Sequence, residues 1–216
     1  MENLKLNDVY AILGNVTEII CENAIHLCEL DSVVGDGDHG TTIRRGVKAA
    51  QIKIDTEKPQ QLDKLFAAYA MGMVSTMGGA SGPIFSSLFL GMGMTVHGSE
   101  EMNLAHLIES FESGLARVQK IGKSAEGDKT LIDALAPGIR ALKKAQEQNL
   151  DLASALGMMH EAALAGLAHT KELVAKKGRS RYAGERGLGH ADAGATSVCL
   201  IIDCFAKQAN KELNHA

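Results

Sequence analysis

The sequence has no tryptophan, and aromatic residues make up only 4% of its 216 residues. Sheet sandwiches are usually richer in aromatic and β-branched side chains, whereas alanine, leucine and methionine are good helix formers. Because Ala, Gly, Leu and Met are plentiful, the composition favours an all-α fold. The length suffices to bury one substantial core, so we expect one domain over residues 1–216.

The chain also lacks an excess of positive charge and a long apolar run. Its formal net charge of −4 provides no basic surface for nucleic acid or for an anionic membrane. No stretch approaches the roughly 20 apolar residues of a membrane span, and residues 1–5 do not begin a signal peptide. We therefore expect a cytoplasmic protein that has neither nucleic acid nor membrane as a partner.

Cysteines are few, and their spacing fits neither a zinc ribbon nor a secreted disulfide framework. Cys21 and Cys28 share one apolar helical pattern, and Cys199 and Cys204 share another. We expect all four to be reduced thiols in the core, where free cysteine is usually found.

Apolar residues recur at helical spacing in eight segments, and no segment shows the alternation of a strand. The first predicted helix spans 6–29, and the apolar positions of the others span 43–54, 62–73, 85–96, 104–118, 131–142, 152–167 and 198–205. Pro137 is expected to kink or break the sixth, because proline removes a helical donor. Short connections between helices predict a bundle, and the glycines of the fourth helix predict close helix contacts.

Three carboxylates, Asp31, Asp36 and Asp38, lie within eight residues between the first two predicted helices. Carboxylates so close together repel one another, and a cation would reverse that cost. Oxygen ligands without cysteine favour magnesium, manganese or calcium over zinc. A calcium loop counted from Asp36 would need a glutamate where Val47 stands, so magnesium fits better. The alternative is that Asp36 and Asp38 only form turns.

Two glycine-rich segments suit phosphate. Residues 78–83 precede the fourth helix, where free backbone N–H groups favour an anion, although a tight turn between helices would look the same. Residues 178–197 contain Arg179, whose planar fork matches phosphate, and Asp192, which could cap the last helix. His39 and His190 each lie in a glycine loop near an aspartate.

Two apparent nucleotide motifs are false. Residues 35–40 fit the spacing of a dinucleotide fingerprint, but no strand precedes them and two of the intervening residues are anions. Gly122-Lys123-Ser124 ends like a P-loop, but Arg117 stands where that loop needs its first glycine.

In combination, five ordered blocks of the sequence resemble the nucleotide-binding L subunit of dihydroxyacetone kinase. The blocks are Gly-Asp-Gly-Asp-His-Gly at 35–40, Gly-Gly-Ala-Ser-Gly-Pro at 78–83, Gly-Asp-Lys-Thr at 127–130, Lys-Gly-Arg with Gly-Glu-Arg within 177–186, and the run at 189–197. The resemblance covers essentially the whole chain, and it reduces the weight of the turn-only interpretations.

The resemblance implies a single-domain antiparallel barrel of eight helices, with ADP or ATP and two Mg²⁺ ions bound at one end. It implies that Asp31, Asp36 and Asp38 bind the metal and, with Arg179, form the catalytic set. The nucleotide-binding residues that it implies are His39, Gly40, Thr41, Thr42, Ala80, Ser81, Gly122, Leu131, Arg179, Asp192, Ala193 and Gly194. Ala193 replaces a frequent proline and Gly37 a common alanine, changes that loosen a loop without removing a ligand.

The implied reaction is phosphoryl transfer to dihydroxyacetone held on a separate K subunit. In the phosphoenolpyruvate-dependent, phosphotransferase-system-coupled branch, an M subunit carrying phosphohistidine rephosphorylates bound ADP. Two alternatives stay open: an ATP-exchanging two-component kinase for another short ketose or tetrose, and a nucleotide-binding regulatory partner without transfer activity. The sugar is not set by this chain. The glycine-rich helix faces suit a contact with the K subunit or a homodimer.

Overall fold

Helices make up most of residues 3–211, the part of the chain that the computed structural model describes. Within that part there are nine α-helices. They are α1 Leu6–Glu22, α2 Ala24–Ser32, α3 His39–Glu57, α4 Leu62–Thr76, α5 Ser81–Met94, α6 Leu104–Gly122, α7 Ile132–Glu147, α8 Leu152–His169 and α9 Ala193–Lys211. The connection from α8 to α9 contains two 3₁₀ segments, Thr170–Glu172 and Arg179–Gly187, and the second is interrupted at Gly184.

Eight of the helices described within residues 3–211 form a closed ring, and α2 lies beside it. Helix α1 packs against α3, each helix from α3 onward packs against the next, and α9 returns to α1. Their apolar faces meet inside the ring, where Tyr69 contacts Phe89 edge to face with centroids 4.9 Å apart, and Phe111 contacts Phe205 at 5.3 Å. The predicted all-α barrel is confirmed, with one extra helix.

The extra helix arises because the predicted helix over 6–29 is broken. Asn23 ends α1 with φ −91° and ψ 4°, and both its backbone N–H and its side-chain amide donate to the carbonyl of Ile19. Asparagine readily leaves helical geometry, because its side chain competes for backbone groups. Helix α2 therefore starts as a separate helix at Ala24 and packs on α3 and α9.

The expected absence of strands is wrong, and of the kink or break expected at Pro137 the break does not occur. Short strands do occur: β1 Asn3–Lys5 pairs antiparallel with β2 Glu101–Asn103, which joins the start of α1 to the start of α6. Each strand has only three residues, too few for alternation to be visible in the sequence. Helix α7 is not broken at Pro137, because it runs without interruption from Ile132 to Glu147.

Glycines allow the backbones of neighbouring helices to touch. A Cβ atom added at Gly91 of α5 would lie 2.6 Å from the Cα atom of Gly114 on α6, closer than any side chain tolerates. The predicted close contacts of this helix are therefore confirmed. Within residues 3–211, none of the helices combines the length and the apolar character that crossing a membrane requires.

Candidate functional site

A cleft of about 540 Å³ lies at the end of the ring where α3, α5, α7 and α9 begin. Its walls come from the α2–α3 loop, the start of α5, the α6–α7 loop and the segment before α9. The predicted site residues that line it are Asp31, Asp36, Asp38, His39, Thr42, Ala80, Ser81, Gly122, Leu131, Arg179, Asp192, Ala193 and Gly194. The structure thus brings together segments that are far apart in the sequence.

The three predicted metal ligands form a cluster at the mouth of the cleft. Asp31, Asp36 and Asp38 each have a carboxylate oxygen within 4.8 Å of the other two. Asp31 also organises the loop, because its Oδ2 accepts hydrogen bonds from the backbone N–H of Asp38 at 3.0 Å and of His39 at 3.4 Å. Only glycine at position 35 lets the loop pass this close to the Asp31 carboxylate, since a Cβ atom there would lie 2.3 Å from Asp31 Oδ1.

Arg179 reaches this cluster from the segment before α9 and forms an ion pair with Asp36. The arginine side chain is 65% exposed and the aspartate side chain 46%, and exposed ion pairs contribute little stability. The guanidinium can therefore exchange this carboxylate for a phosphate oxygen at small cost.

The start of α5 offers a second anion-binding element. No side chain caps this helix at Ala80, and the preceding Gly79 has a positive φ of 66°. Uncapped N–H groups and the helix dipole favour an anion at such a position. Arg45 of α3 lies beside it, because its Nε donates to the carbonyl of Thr76 at 2.7 Å while the side chain lines the cleft.

His39 forms part of the buried wall. Its Nε2 lies 2.9 Å from the hydroxyl of Ser197, which itself donates to the carbonyl of Ala193. Because the hydroxyl has one hydrogen, Nε2 of the histidine is the donor in this pair. Burial lowers the pKa of His39, against the opposing effect of Asp31. Burial therefore favours the neutral imidazole, with its hydrogen on Nε2.

Apolar side chains also line the cleft. Ile84 and Phe85 of α5, Ile121 of α6 and Leu131 before α7 contribute to this wall. Mixed apolar surface beside a few directed polar groups is typical of sites for small organic ligands. The cleft therefore offers apolar surface for a flat ring as well as polar groups for anions and a cation.

Asp192 caps α9 as predicted, since its Oδ2 accepts from the backbone N–H of Ala195 at 2.7 Å. Desolvation by burial raises the pKa of this carboxyl to about 7, and the charge of Asp133 acts in the same direction. The hydrogen bond to Ala195 and the charge of Lys129 oppose the shift but do not cancel it. The folded protein therefore binds a proton here that the unfolded chain releases near pH 4.

We expect Asp192→Asn to remove a pH dependence of stability. Between about pH 4 and pH 7 the folded state holds more protons at Asp192 than the unfolded state. The free energy of unfolding of the wild type therefore falls as pH rises, by up to about 1.4 kcal/mol per pH unit. Urea unfolding of both proteins without nucleotide or metal checks this. Relative to the wild type, the free energy of unfolding of the variant should increase from pH 4 to pH 7 and change no further above pH 7. If the two free energies change with pH in parallel, the raised pKa of Asp192 is wrong.

Gly40 and Thr41 are not among the described residues that line the cleft. Thr41 is exposed, and its hydroxyl donates to the carbonyl of Asp38 at 2.8 Å. Gly40 is buried against α2, where an added Cβ atom would lie 1.8 Å from the carbonyl oxygen of Ala24. The visible role of Gly40 is the close packing of α2 and α3, which places Asp31 beside Asp38.

We expect Gly40→Ala to destabilise the protein, because the new methyl group meets rigid backbone. Overpacking of this kind costs about 1–3 kcal/mol. The matched control is Gly157→Ala in α8, where a Cβ atom would meet nothing within 4 Å, so alanine should stabilise by about 0.5–1 kcal/mol. Denaturant titration of the three proteins measures both effects. Equal stability of the two variants would refute the packing role.

Sequence reasoning did not single out several residues of the cleft. Arg45 carries a signal in the sequence, because it lies three residues after Thr42 and so on the same face of α3. Lys129 stands out in the sequence only as part of the block at 127–130, and Ile84 and Ile121 lie just outside the apolar positions of the predicted helices. Their approach to one site depends on how the ring closes, which no spacing in the sequence reveals.

The comparisons with known proteins agree with this geometry. A family model described as the DAK2 domain matches residues 33–207. The ADP-binding subunit of PEP-dependent dihydroxyacetone kinase 1 from Listeria innocua is 39% identical over 190 residues, which cover 88% of this chain and 90% of that subunit. The ADP-binding subunit of the PEP-dependent dihydroxyacetone kinase from Escherichia coli is 32% identical over 194 residues, covering 90% and 92%.

A solved structure is similar as well. It is the dihydroxyacetone kinase of Citrobacter freundii in complex with AMP-PNP and Mg²⁺, with a TM-score of 0.71 and 29% identity. The match covers 92% of this chain and 33% of that one, so the present chain spans about a third of that kinase. The resemblance inferred from the five sequence blocks is confirmed. Fold, motifs and comparisons together place this chain in the DAK2 domain family.

Proposed function

We propose that this chain is the ADP-binding phosphotransfer subunit of a dihydroxyacetone kinase. The observation that carries the proposal is the cluster of Asp31, Asp36 and Asp38 at the mouth of a cleft that also holds an uncapped helix start and Arg179. Such an arrangement suits a polyphosphate together with divalent cations. Relatives that match nearly end to end are named as ADP-binding subunits of PEP-dependent dihydroxyacetone kinases.

The donor set fits Mg²⁺. Three carboxylates with oxygens within 4.8 Å of one another are hard ligands, and Mg²⁺ usually completes its shell with water and phosphate oxygens. We propose two ions, held by Asp31, Asp36 and Asp38. When bound, they would neutralise charge on the phosphates and so favour transfer.

The chain's own residues align the nucleotide and exclude water. We propose that Ala80 and Ser81 donate backbone N–H groups to phosphate and that Arg179 leaves Asp36 to neutralise charge on the transferred group. His39, Thr42, Gly122 and Leu131 would enclose the rest of the nucleotide together with Asp192, Ala193 and Gly194. Gly40 and Thr41 would act through the loop. Alignment and fixed charges account for most phosphoryl-transfer catalysis.

The sugar and the source of phosphate involve other chains. We propose that dihydroxyacetone is held by a separate K subunit, and that an M subunit with a phosphohistidine rephosphorylates ADP in place. The names of the Listeria and Escherichia relatives, which state dependence on PEP, support this branch. One domain over residues 1–216, a cytoplasmic location and a homodimer stay predictions from the sequence.

Nucleotide exchange tests the proposal. The purified chain should keep ADP through desalting in Mg²⁺, turn over dihydroxyacetone with the K subunit when a PEP-driven relay supplies phosphate, and use free ATP poorly. Rapid exchange and turnover with free ATP would instead indicate an ATP-dependent kinase for dihydroxyacetone or another short ketose or tetrose. Nucleotide binding without turnover under any condition would indicate a regulatory partner. Absence of nucleotide binding would refute the proposal.

A further inference from the structure

A lysine ammonium lies buried beneath the segment that carries Arg179. Lys129 is only 2% exposed, and its Nζ lies within hydrogen-bonding distance of four backbone carbonyls, which share the three hydrogens of the ammonium. These belong to Thr170 at 2.8 Å, Leu173 at 3.1 Å, Gly187 at 2.7 Å and His190 at 2.8 Å. A shell of neutral oxygens around a single positive charge is the kind of environment that proteins also build for bound monovalent cations.

The surroundings show that this arrangement is specific. A buried charge is costly unless it is fully hydrogen bonded, and burial lowers the pKa of Lys129, opposed by the charge of Asp192. The lysine backbone also adopts φ +59°, which side-chain-bearing residues rarely occupy. Asp133 holds that backbone in place by accepting from the N–H groups of Gly127 and Thr130.

The four carbonyls belong to the two ends of one segment. Thr170 and Leu173 precede it, and Gly187 and His190 follow it, so the ammonium closes the base of a loop over 174–186. Within this loop only Ala175 and Ala183 are buried, so few apolar contacts hold it. Arg179 lies on this loop and reaches Asp36 on the other side of the cleft.

We propose that Lys129 is a positioning residue that acts as a tethered internal cation and holds the loop over 174–186 so that Arg179 faces the carboxylate cluster. Its link to phosphoryl transfer rests on the proposed function; its control of the loop does not. The inference predicts that the positive charge, and not the length of the side chain, orders the loop.

Amide hydrogen exchange without nucleotide tests the loop directly. Lys129→Met keeps the side chain as far as Cε and removes the charged nitrogen, so protection over 174–190 should fall at least about 10-fold. The matched control is Lys176→Met, because Lys176 also donates to a carbonyl, that of Gly127, but is largely exposed. Protection in the control should stay within a factor of two or so. Unchanged protection in Lys129→Met would overturn the inference.

Rescue by a free cation separates charge from packing. In Lys129→Gly, the glycine tolerates the positive φ, and the space of the lysine side chain among the four carbonyl oxygens becomes free. Ammonium or potassium chloride should therefore restore loop protection in this variant, whereas choline chloride at equal ionic strength should not. Equal effects of all three salts, or of none, would overturn the inference. If neither variant folds, hydrogen exchange in the wild type tests the inference. The ammonium hydrogens of one lysine should exchange far more slowly than those of the surface lysines. Uniformly fast exchange of all lysine ammonium groups would overturn the inference.

Kinetics distinguish this inference from the proposed function. If the proposed function holds, Lys129→Met should lower kcat with the K subunit more than it weakens ADP binding, since Arg179 is displaced while the carboxylates remain. If the wild type binds no ADP but the loop loosens in the variant, the proposed function fails and the role of Lys129 stands.

Discussion

Asp38→Asn should weaken Mg²⁺-dependent ADP binding at least about 100-fold, because loss of a charged ligand removes more than the 10–100-fold typical of outer-shell changes. The same substitution should leave the metal-free protein as stable as the wild type or up to about 1 kcal/mol more stable, since it removes repulsion between exposed charges. No hydrogen bond or ion pair among residues 3–211 uses the Asp38 carboxylate. Calorimetric titration of ADP with Mg²⁺, together with thermal unfolding without it, measures both.

The control for this prediction is Glu29→Gln. Glu29 lies on α2 near the cluster, its side chain is 69% exposed, and the substitution changes the net charge equally. It should leave the affinity for Mg²⁺ and ADP nearly unaltered. If the two variants lose the same affinity, general electrostatics and not ligation would explain the effect. If Asp38→Asn binds as the wild type does, the metal assignment is wrong.

Arg179→Met should reduce kcat with the K subunit by about 10²- to 10³-fold, the usual loss for a group that stabilises transition-state charge. ADP affinity should fall much less, because the uncapped start of α5 and the metal cluster remain. Arg179→Lys should recover only part of the rate, since an ammonium lacks the planar fork of arginine. Steady-state kinetics and ADP titration of both variants separate the two effects.

Arg181→Met is the matched control, because Arg181 lies on the same loop, is exposed, and stacks over Tyr182 with 4.7 Å from Cζ to the ring centroid. It should retain nearly the full rate. A kcat for Arg179→Met within a few-fold of the wild type would remove this residue from the catalytic set. A large loss in Arg181→Met would point to the loop surface as a whole.

The sequence predicts the helices well because each buries one apolar face in a shared core, and this requirement imposes the helical period. It predicts the break at Asn23 poorly, because the apolar pattern continues from α1 into α2. The strands are missed because Leu4 and Met102 are the only buried residue in each three-residue strand.

The chemistry of the site is visible in the sequence only where it is local. Asp31, Asp36 and Asp38 lie within eight residues, so their mutual repulsion and its relief by a cation follow from spacing alone. The approach of Arg179 to Asp36 and of Lys129 to the carbonyls of Thr170 and His190 joins residues between 41 and 143 positions apart. Those contacts depend on the closure of the ring, which no local pattern encodes.

The most direct test of the account is the position of the metal. Crystals grown with ADP and Mn²⁺ in place of Mg²⁺ allow the ions to be located by their anomalous scattering. We expect peaks between the nucleotide phosphates and the carboxylates of Asp31, Asp36 and Asp38, within about 2.0–2.3 Å of the ligand oxygens. ADP bound in the cleft with no peak near these carboxylates would contradict the account.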